Sequence, residues 1–355
     1  MDNGTFTDLR IDHIEFAVAD VESASAPFTE GYGFSVYGGT GDAHAPVRRV
    51  ALGRDDIRLV LTAAPGGDHP AMAYVEQHGD GVSAIALSTR DAHAAFTEAV
   101  RRGAVGVSAP VTGNGVTVAT IRGFGDVLHT FVERAPGADP RTLPGLELRR
   151  PSPTRFDSGL QAIDHIAVCL EPGTLDPTVD FYRDVLDFEM IFEERILVGR
   201  QAMDSKVVQS RSGGVTLTLI EPDTSLEQGQ IDTFLKNHGG PGVQHLAFIT
   251  DDVLRSVGRM SEHGVEFLHT PDSYYGRLPG RIPQAGHPIQ ALRDLNVLVD
   301  QDHDGQLFQI FTKSVHPRGT IFMEVIERMG ARSFGSGNIK ALYEAVELDM
   351  SKQSA

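Results

Sequence analysis

Three side chains that could bind a metal stand in separate strand-like segments of the second half of the chain. His165 lies in the segment IDHIAVCL, His245 in VQHLAFIT and Glu324 in TIFMEVIE. Apolar residues flank each of them on both sides, so we expect all three to be buried or to line a cavity. Two histidines and one carboxylate can occupy one face of an octahedral divalent iron and leave three positions open for substrate and dioxygen.

The glutamate is the most informative of the three, because a histidine on such a strand is more often an ordinary core residue. Glu324 shares its predicted strand face with Phe322 and Ile326, and an unpaired carboxylate buried there would cost several kcal/mol. No lysine is close in the sequence, and Arg328 lies further along the same face. Two histidines in corresponding positions of successive modules, with the carboxylate on a third strand, offer the other way to compensate the charge, by sharing a bound cation.

An internal repeat runs through the chain and serves as a control for this hypothesis. Three pairs of segments match: IDHI at 11–14 and 163–166, QHGDGVSAIALSTRD from Gln77 and NHGGPGVQHLAFITDD from Asn237, and FVER at 131–134 and VIER at 325–328. Each half contains two such units, so we predict a duplication of a half that is itself double. The helix-like run of each second unit ends at a glycine, Gly103 or Gly264, as helices commonly do.

Aligning the two halves shows which of them retains the candidate ligands. The alignment sets His13 opposite His165, Ala84 opposite His245 and Thr130 opposite Glu324. The first half keeps one of the three residues and cannot bind a metal in the same way. We therefore interpret it as structural and place the reactive centre in the second half.

The length of 355 residues predicts two domains. We assign residues 1–134 to the first domain and residues 160–355 to the second. The segment 135–159 contains five prolines and no sustained apolar period, which predicts a connector laid over the surface. Apolar residues at helical spacing predict a C-terminal helix over 338–350 that packs one face on the second domain.

Composition narrows the classes of partner. The chain has 31 lysines and arginines against 48 aspartates and glutamates, a formal net charge of −17, and no basic patch, so we expect no nucleic-acid partner. Its apolar runs are too short to span a membrane. The single cysteine, Cys169, suits a cytoplasmic protein and lies in an apolar strand where a thiol should be inert. A small-molecule partner fits best.

Four motifs of the second half carry a family resemblance: GVQHLAF, GQLFQIFT, FMEVIER and FGSGNIKALYEAVE. They resemble the 4-hydroxyphenylpyruvate dioxygenase family of the vicinal oxygen chelate superfamily, closely over 163–348 and more loosely before it. The resemblance implies an α+β vicinal oxygen chelate fold in which four βαβββ modules form two open β-barrel domains. The first barrel would be degenerate, and the helix from residue 338 would be a lid on the catalytic barrel.

The same resemblance implies the cofactor and the substrate. One Fe(II) per chain would be held by His165, His245 and Glu324, with no catalytic side chain beyond this centre. The substrates would be 4-hydroxyphenylpyruvate, which would chelate the iron through its keto and carboxylate oxygens, and O2. The same ligands also suit manganese, cobalt or zinc. Whether the chain forms a homo-oligomer is left open.

The family likeness also suggests residues that contact the substrate. The polar candidates are Ser205, Thr218, Gln230, Gln244 and Gln309, and the candidate aromatic walls are Phe311, Phe322 and Phe334. A mostly apolar pocket needs only a few such donors and acceptors. The alternatives are ordinary: the two hydroxyls could satisfy local backbone groups, Gln230 could be an exposed helix residue, and the aromatic rings could be core.

Two departures from the family pattern bear on the product. Residues 218–222 read TLIEP where ring-hydroxylating members have PLNEP, and the lid begins Gly-Asn-Ile at 337–339 where those members have Gly-Asn-Phe. Both resemble the branch that forms 4-hydroxymandelate and CO2, which is associated with building blocks of peptide antibiotics. We predict that Ile339 contacts the substrate and favours hydroxylation of its benzylic carbon. The alternatives are homogentisate formation, extradiol ring cleavage and binding without catalysis.

Overall fold

The computed structural model describes residues 4–42, 45–64, 66, 68–335 and 337–340. Helices and mixed β-sheets alternate along these residues, so the α+β class is confirmed. Among these residues, the first half and the connector contain nine strands: β1 Arg10–Ala17, β2 Ser35–Gly39, β3 Arg48–Arg54, β4 Ile57–Ala63, β5 Gly81–Ser88, β6 Gly106–Gly113, β7 Val116–Arg122, β8 Leu128–Arg134 and β9 Glu147–Leu148. Its helices are α1 Val21–Gly31, α2 Pro70–His78 and α3 Ala92–Arg101.

The second half repeats this arrangement with additional helices. Its strands are β10 Leu160–Cys169, β11 Glu189–Val198, β12 Gln201–Gln209, β13 Thr216–Pro222, β14 Gly242–Thr250, β15 Leu298–Gln301, β16 Gln306–Phe311 and β17 Phe322–Met329. Its helices are α4 Leu175–Leu186, α5 Gln230–His238, α6 Val253–Glu262, α7 Asp272–Arg281 and α8 Ile289–Asp294. Each half forms one sheet.

The strand order of the two sheets shows the four predicted βαβββ modules. The first sheet has the order β6-β7-β8-β5-β1-β4-β3-β2-β9 and the second β11-β12-β13-β10-β14-β17-β16-β15. In every module the first strand lies parallel to the last, as β1 does to β4 and β14 to β17. The first strands of paired modules meet antiparallel in the middle of the sheet, as β10 and β14 do. Two curled half-barrels result, so the predicted fold is confirmed.

Local sequence signals fix the ends of the helices that follow β5 and β14. Asp91 and Asp252 cap α3 and α6, because each carboxylate accepts a hydrogen bond from a backbone N–H three residues on. Gly103 and Gly264 follow these helices with φ of 112° and 89°, which a side chain would disfavour. The predicted helix ends therefore agree with the structure.

The strand register reproduces the predicted alignment of the halves. His13 pairs with Ala86, and Ala86 pairs with Thr130. In the second sheet, His165 pairs with Ala247 and Ala247 pairs with Glu324. Likewise Glu15 pairs with Ala84, where Ala167 pairs with His245. The two halves thus place equivalent residues at equivalent points of their sheets.

A single hydrophobic core joins the two halves on the faces opposite their barrel interiors. Phe248 of β14 is fully buried and packs edge-on against Phe34 at 5.9 Å and Tyr32 at 6.2 Å between ring centroids. Both partners belong to the first half. The two sheets therefore stabilise each other. The first half is expected to be needed for folding even though the candidate ligands lie in the second half.

The connector 135–159 is more integrated than its prolines predict. Leu143 and Leu146 are buried in the interior cluster of the first half, and β9 pairs with β2. Phe156 stacks on His263 at 3.7 Å between ring centroids. The prediction of a surface connector is wrong for these residues, because their apolar side chains are sufficient to bury parts of a segment that lacks helical or strand periodicity.

The predicted C-terminal helix begins where the sequence places it. Residues 337–340 are helical, and positions 341–350 of the prediction lie outside the described residues. Ile339 is half-buried and packs against a cluster that includes Cys169, Met203 and Ile220. None of the described helices is long and apolar enough to cross a membrane.

Replacing Phe248 with alanine is expected to lower the free energy of unfolding by about 3–5 kcal/mol, because the truncation leaves a cavity between the halves. The measurement is urea denaturation followed by circular dichroism. The control is Val315→Ala at a position that is 82% exposed; its effect should stay within about 0.5 kcal/mol. Equal effects of the two substitutions would contradict the shared core.

Candidate metal centre

A register shift in β10 places the first candidate ligand, His165, beside Asp164. The pairing of β10 with β14 shifts between Ile163 and His165, so Asp164 and His165 are not on opposite faces as regular alternation would require. The Nδ1 of His165 donates a hydrogen bond of 2.8 Å to the carboxylate of Asp164. Because a carboxylate can only accept here, the proton of the neutral ring is on Nδ1 and the lone pair is on Nε2.

Folding brings the three candidate ligands together, although they are distant in sequence. The Oε2 of Glu324 lies 3.2 Å from Nε2 of His165 and 3.3 Å from Nε2 of His245. All three residues are buried, and their ligand atoms lie within 4.8 Å of one another. The imidazole rings are 5.6 Å apart and nearly perpendicular, at 79°. Two nitrogens and one oxygen therefore converge on one point.

The electrostatics of this cluster are those of a site arranged for a cation. Burial alone would raise the pKa of Glu324, but the two histidines lower it to about 2, so the carboxylate is ionised. Burial alone would lower the pKa of His165, but Glu324 and Asp164 raise it to about 9. Burial lowers the pKa of His245. In the metal-free chain a proton on His165 thus supplies the positive charge that Glu324 requires.

The donor set fits a divalent metal of the iron type. Two imidazole nitrogens and one carboxylate oxygen form the facial arrangement that leaves positions open on one side. The distances between the donors are those of groups that can share one ion, and the second nitrogen of His165 is fixed by a carboxylate, as is usual for ligating histidines. Arg328 pairs with Asp164 and not with Glu324.

Aromatic rings pack against the two histidine ligands. The rings of Phe322 and Phe311 lie 5.0 and 5.7 Å from that of His245. Phe334 meets the ring of His165 edge-on at 5.4 Å. All three predicted aromatic walls therefore adjoin the ligand cluster.

Four of the five predicted polar contacts are buried on the second sheet or beside its ligands. Thr218 pairs with Ala167 and Ser205 with Ile220, which places both on the strand face that carries His165. Gln244 accepts a hydrogen bond of 3.3 Å from Nδ1 of His245. The exception is Gln230, which is exposed at the start of α5, as its ordinary alternative predicts.

Two polar atoms of this face have no hydrogen-bond partner among the described residues. They are Oγ1 of Thr218 and Oε1 of Gln309, both fully buried. Gln309 is 1% exposed and sits on β16, opposite Ile326 of β17. Buried polar atoms without partners are costly, and a bound ligand can satisfy them. These two residues have the strongest structural reason to contact a polar substrate.

The first half has kept the support of the site and one of its three ligand positions, His13. His13 donates to Asp12 at 2.6 Å, and Arg134 pairs with Asp12, as Arg328 does with Asp164. Ala84 and Thr130 offer no histidine or carboxylate at the other two positions. Among the described residues, the first half therefore has no equivalent cluster of metal-binding groups.

The supporting pair was missed by sequence reasoning, although its signal is present. Asp164 and Arg328 recur as Asp12 and Arg134 at equivalent places of the internal repeat. A second ligand-type cluster, Asp302-His303-Asp304, differs in character. Asp302 accepts hydrogen bonds from four backbone N–H groups, so its carboxylate is engaged in holding a turn.

Comparisons with known proteins agree on one family. Residues 7–143 match the family described as hydroxyphenylpyruvate dioxygenase, N-terminal, and residues 162–310 match the glyoxalase/bleomycin resistance protein/dioxygenase superfamily. The chain is 32% identical to 4-hydroxyphenylpyruvate dioxygenase from Danio rerio, over 96% of this chain and 90% of that protein. It is 31% identical to the Aspergillus fumigatus enzyme of the same name, over 95% and 91% of the two chains.

Solved structures extend the comparison. The chain is 41% identical to a triple mutant of 4-hydroxymandelate synthase from Streptomyces coelicolor, with a TM-score of 0.84 over 97% of this chain and 99% of that one. A fusion of a xylose isomerase-like TIM barrel with 4-hydroxyphenylpyruvate dioxygenase is 27% identical, with a TM-score of 0.75 over 95% of this chain and 52% of the fusion.

The metal-free chain is expected to bind one Co2+, as a spectroscopic substitute for iron, at the three converging side chains. His245→Ala and Glu324→Gln should abolish the d–d absorption band, because each removes a ligand. The matched control is His13→Ala, which removes the equivalent histidine of the first half and should leave one Co2+ per chain. Loss of binding in His13→Ala alone would refute the assignment.

Co2+ affinity should rise with pH, because the metal must displace the proton of His165, whose pKa is raised to about 9. The carboxylate of Glu324 stays ionised over this range, since its pKa is about 2. At pH values below the pKa of His165, we expect the dissociation constant of Co2+ to fall about tenfold for each unit by which the pH rises. Titrations at about pH 6 and pH 8, followed by absorption, measure this; equal affinities at the two values would contradict it.

Proposed function

The chain belongs to the 4-hydroxyphenylpyruvate dioxygenase family, and from this membership we propose that it is an Fe(II)-dependent 4-hydroxymandelate synthase. It would convert 4-hydroxyphenylpyruvate and O2 into 4-hydroxymandelate and CO2. The observation that carries the proposal is the convergence of His165, His245 and Glu324 on one point inside the second sheet. One iron per chain would be held there.

Iron bound at this centre would supply the activation of O2 and two coordination positions for the keto acid. The chain itself contributes the orientation of the substrate. The unpartnered oxygens of Thr218 and Gln309 can each bind one polar group of a phenol or keto acid. The rings of Phe311, Phe322 and Phe334 would keep water from the reacting atoms.

The choice of product depends on which substrate carbon lies nearest to the reacting oxygen. A shift of about 1 Å can change a rate a hundredfold, so one side chain can bias the outcome. Ile339 contacts the cluster of Cys169, Met203 and Ile220 at the end of the barrel interior. Its side chain is smaller than the phenylalanine of ring-hydroxylating relatives. We propose that the space it leaves lets the ring swing away from the oxygen and presents the benzylic carbon.

The comparisons support this product without excluding the other one. The likeness to 4-hydroxymandelate synthase is 41% identity, against 32% or less for the curated 4-hydroxyphenylpyruvate dioxygenases named above. Those curated relatives favour a second candidate, 4-hydroxyphenylpyruvate dioxygenase forming homogentisate. The two share fold, metal and substrate. They differ in whether oxygen enters the benzylic carbon or the ring.

The iron-loaded chain, supplied with 4-hydroxyphenylpyruvate under oxygen, is expected to release CO2 and 4-hydroxymandelate, identified by mass and NMR. Homogentisate as the main product would replace the first proposal by the second. An absence of oxygen uptake would leave only a binding protein of the same superfamily.

Ile339→Phe is expected to raise the homogentisate fraction of the product, because the larger ring restricts the swing of the substrate. The matched control is Ile339→Leu, which keeps the volume and should keep the product ratio. Product ratios by liquid chromatography decide the matter. An unchanged ratio in Ile339→Phe, with turnover retained, would show that Ile339 does not govern the product.

A further inference from the structure

Arg328 lies between the candidate metal ligand His165 and the lid segment, residues 331–335, which precedes the helix predicted as a lid. Its guanidinium donates two hydrogen bonds to the carboxylate of Asp164, at 2.7 and 2.8 Å. That carboxylate in turn accepts the Nδ1 proton of His165. Arg328 also donates to the backbone carbonyl oxygens of Ala331, at 3.2 Å, and Ser333, at 2.8 Å. Arg328 therefore contacts both Asp164, which holds the ligand His165, and the lid segment.

The same segment is held from its other side. Asp302 accepts hydrogen bonds of 2.7 and 2.8 Å from the backbone N–H groups of Arg332 and Ser333. Within residues 331–333, Arg328 thus engages two carbonyl groups and Asp302 engages two amide groups. This fixes the backbone from which Phe334 projects.

Phe334 contacts both the ligand His165 and the guanidinium of Arg328. Its ring meets that of His165 edge-on at 5.4 Å, and the guanidinium of Arg328 lies 5.1 Å from its centroid. Arg328 therefore contacts both the carboxylate that accepts from His165 and the aromatic ring that packs on His165.

The first half contains the same support without the ligand cluster. Arg134 pairs with Asp12, which accepts from His13, and Arg134 donates to the carbonyl oxygen of Thr142 at 3.1 Å. The aspartate–arginine pair is present in both halves and therefore does not distinguish them. The second half differs in Phe334, which follows Arg328 in sequence and packs its ring against His165.

We propose that Arg328 is a positioning residue that couples the metal ligand His165 to the lid segment 331–335. The inference rests on the proposed function for its consequence in catalysis. Without Arg328, Asp164 loses the partner that holds it against His165, and the lid segment loses two hydrogen bonds. Partners of ligating histidines typically change metal affinity by about 10–100-fold when removed. The lid segment should loosen at the same time.

The test compares Arg328→Met with Arg134→Met, a matched pair at equivalent positions of the repeat. Both remove one half-buried guanidinium from one aspartate. We expect Co2+ to bind the metal-free Arg328→Met chain at least about tenfold more weakly than the wild type, and Arg134→Met to stay within about twofold of it. Amide hydrogen exchange over 331–335 should accelerate in Arg328→Met only.

Equal Co2+ affinities in the two variants, or unchanged exchange over 331–335 in Arg328→Met, would overturn the coupling. If Arg328→Met does not fold, Arg328→Lys takes its place. Lysine keeps the charge but lacks the planar fork that reaches a carboxylate and two carbonyl groups together. Its Co2+ affinity should therefore also fall below that of Arg134→Lys, and equality of these two would likewise overturn the coupling.

Failure of the coupling and failure of the proposed function give different results. A wild-type chain that forms no 4-hydroxymandelate but retains the contrast in Co2+ affinity and exchange would refute the function and support the coupling. If the wild-type chain forms 4-hydroxymandelate but Arg328→Met and Arg134→Met do not differ in Co2+ affinity and exchange, the function is supported and the coupling is refuted.

Discussion

The buried carboxylate of Glu324 is the constraint on which the rest of the site depends. It is 2% exposed, and its ion-pair partners among the described residues are His165 and His245. A lone carboxylate in such a place would be costly, whereas one that faces two imidazole nitrogens can share a cation with them. The strand register, the shift beside Asp164 and the aromatic rings all serve to keep these three groups together.

Duplication explains how the fold could acquire such a centre on one side only. In both sheets a histidine donates to an aspartate, and that aspartate pairs with an arginine, at the same register positions. The second sheet adds a histidine and a glutamate where the first has Ala84 and Thr130. The first sheet remains necessary because it shares the core around Phe248. The two similar halves thus share one core and differ in their candidate metal ligands.

The sequence was sufficient to predict the modules, the helix ends and the convergence of the three candidate ligands. The duplication follows from the repeated segments, and the need for a cation beside Glu324 follows from the cost of burying a charge. The βαβββ modules and a shared iron are what the family resemblance implies. The sequence was insufficient for Leu143 and Leu146, since the prolines around them dominate the local pattern while their burial depends on the first barrel. It was also insufficient for Arg328, whose partner Asp164 is brought to it only by the sheet and by a register shift. Gln230 shows the limit of a family likeness, because a residue type at a matching position does not fix its exposure.

The most direct test of the account is a crystal structure of the iron-loaded chain with anomalous scattering recorded at the iron edge. The account predicts one peak per chain at about 2 Å from Nε2 of His165, Nε2 of His245 and a carboxylate oxygen of Glu324. A peak elsewhere, for example beside the turn of Asp302, or an iron that lacks any one of these three ligands, would contradict it.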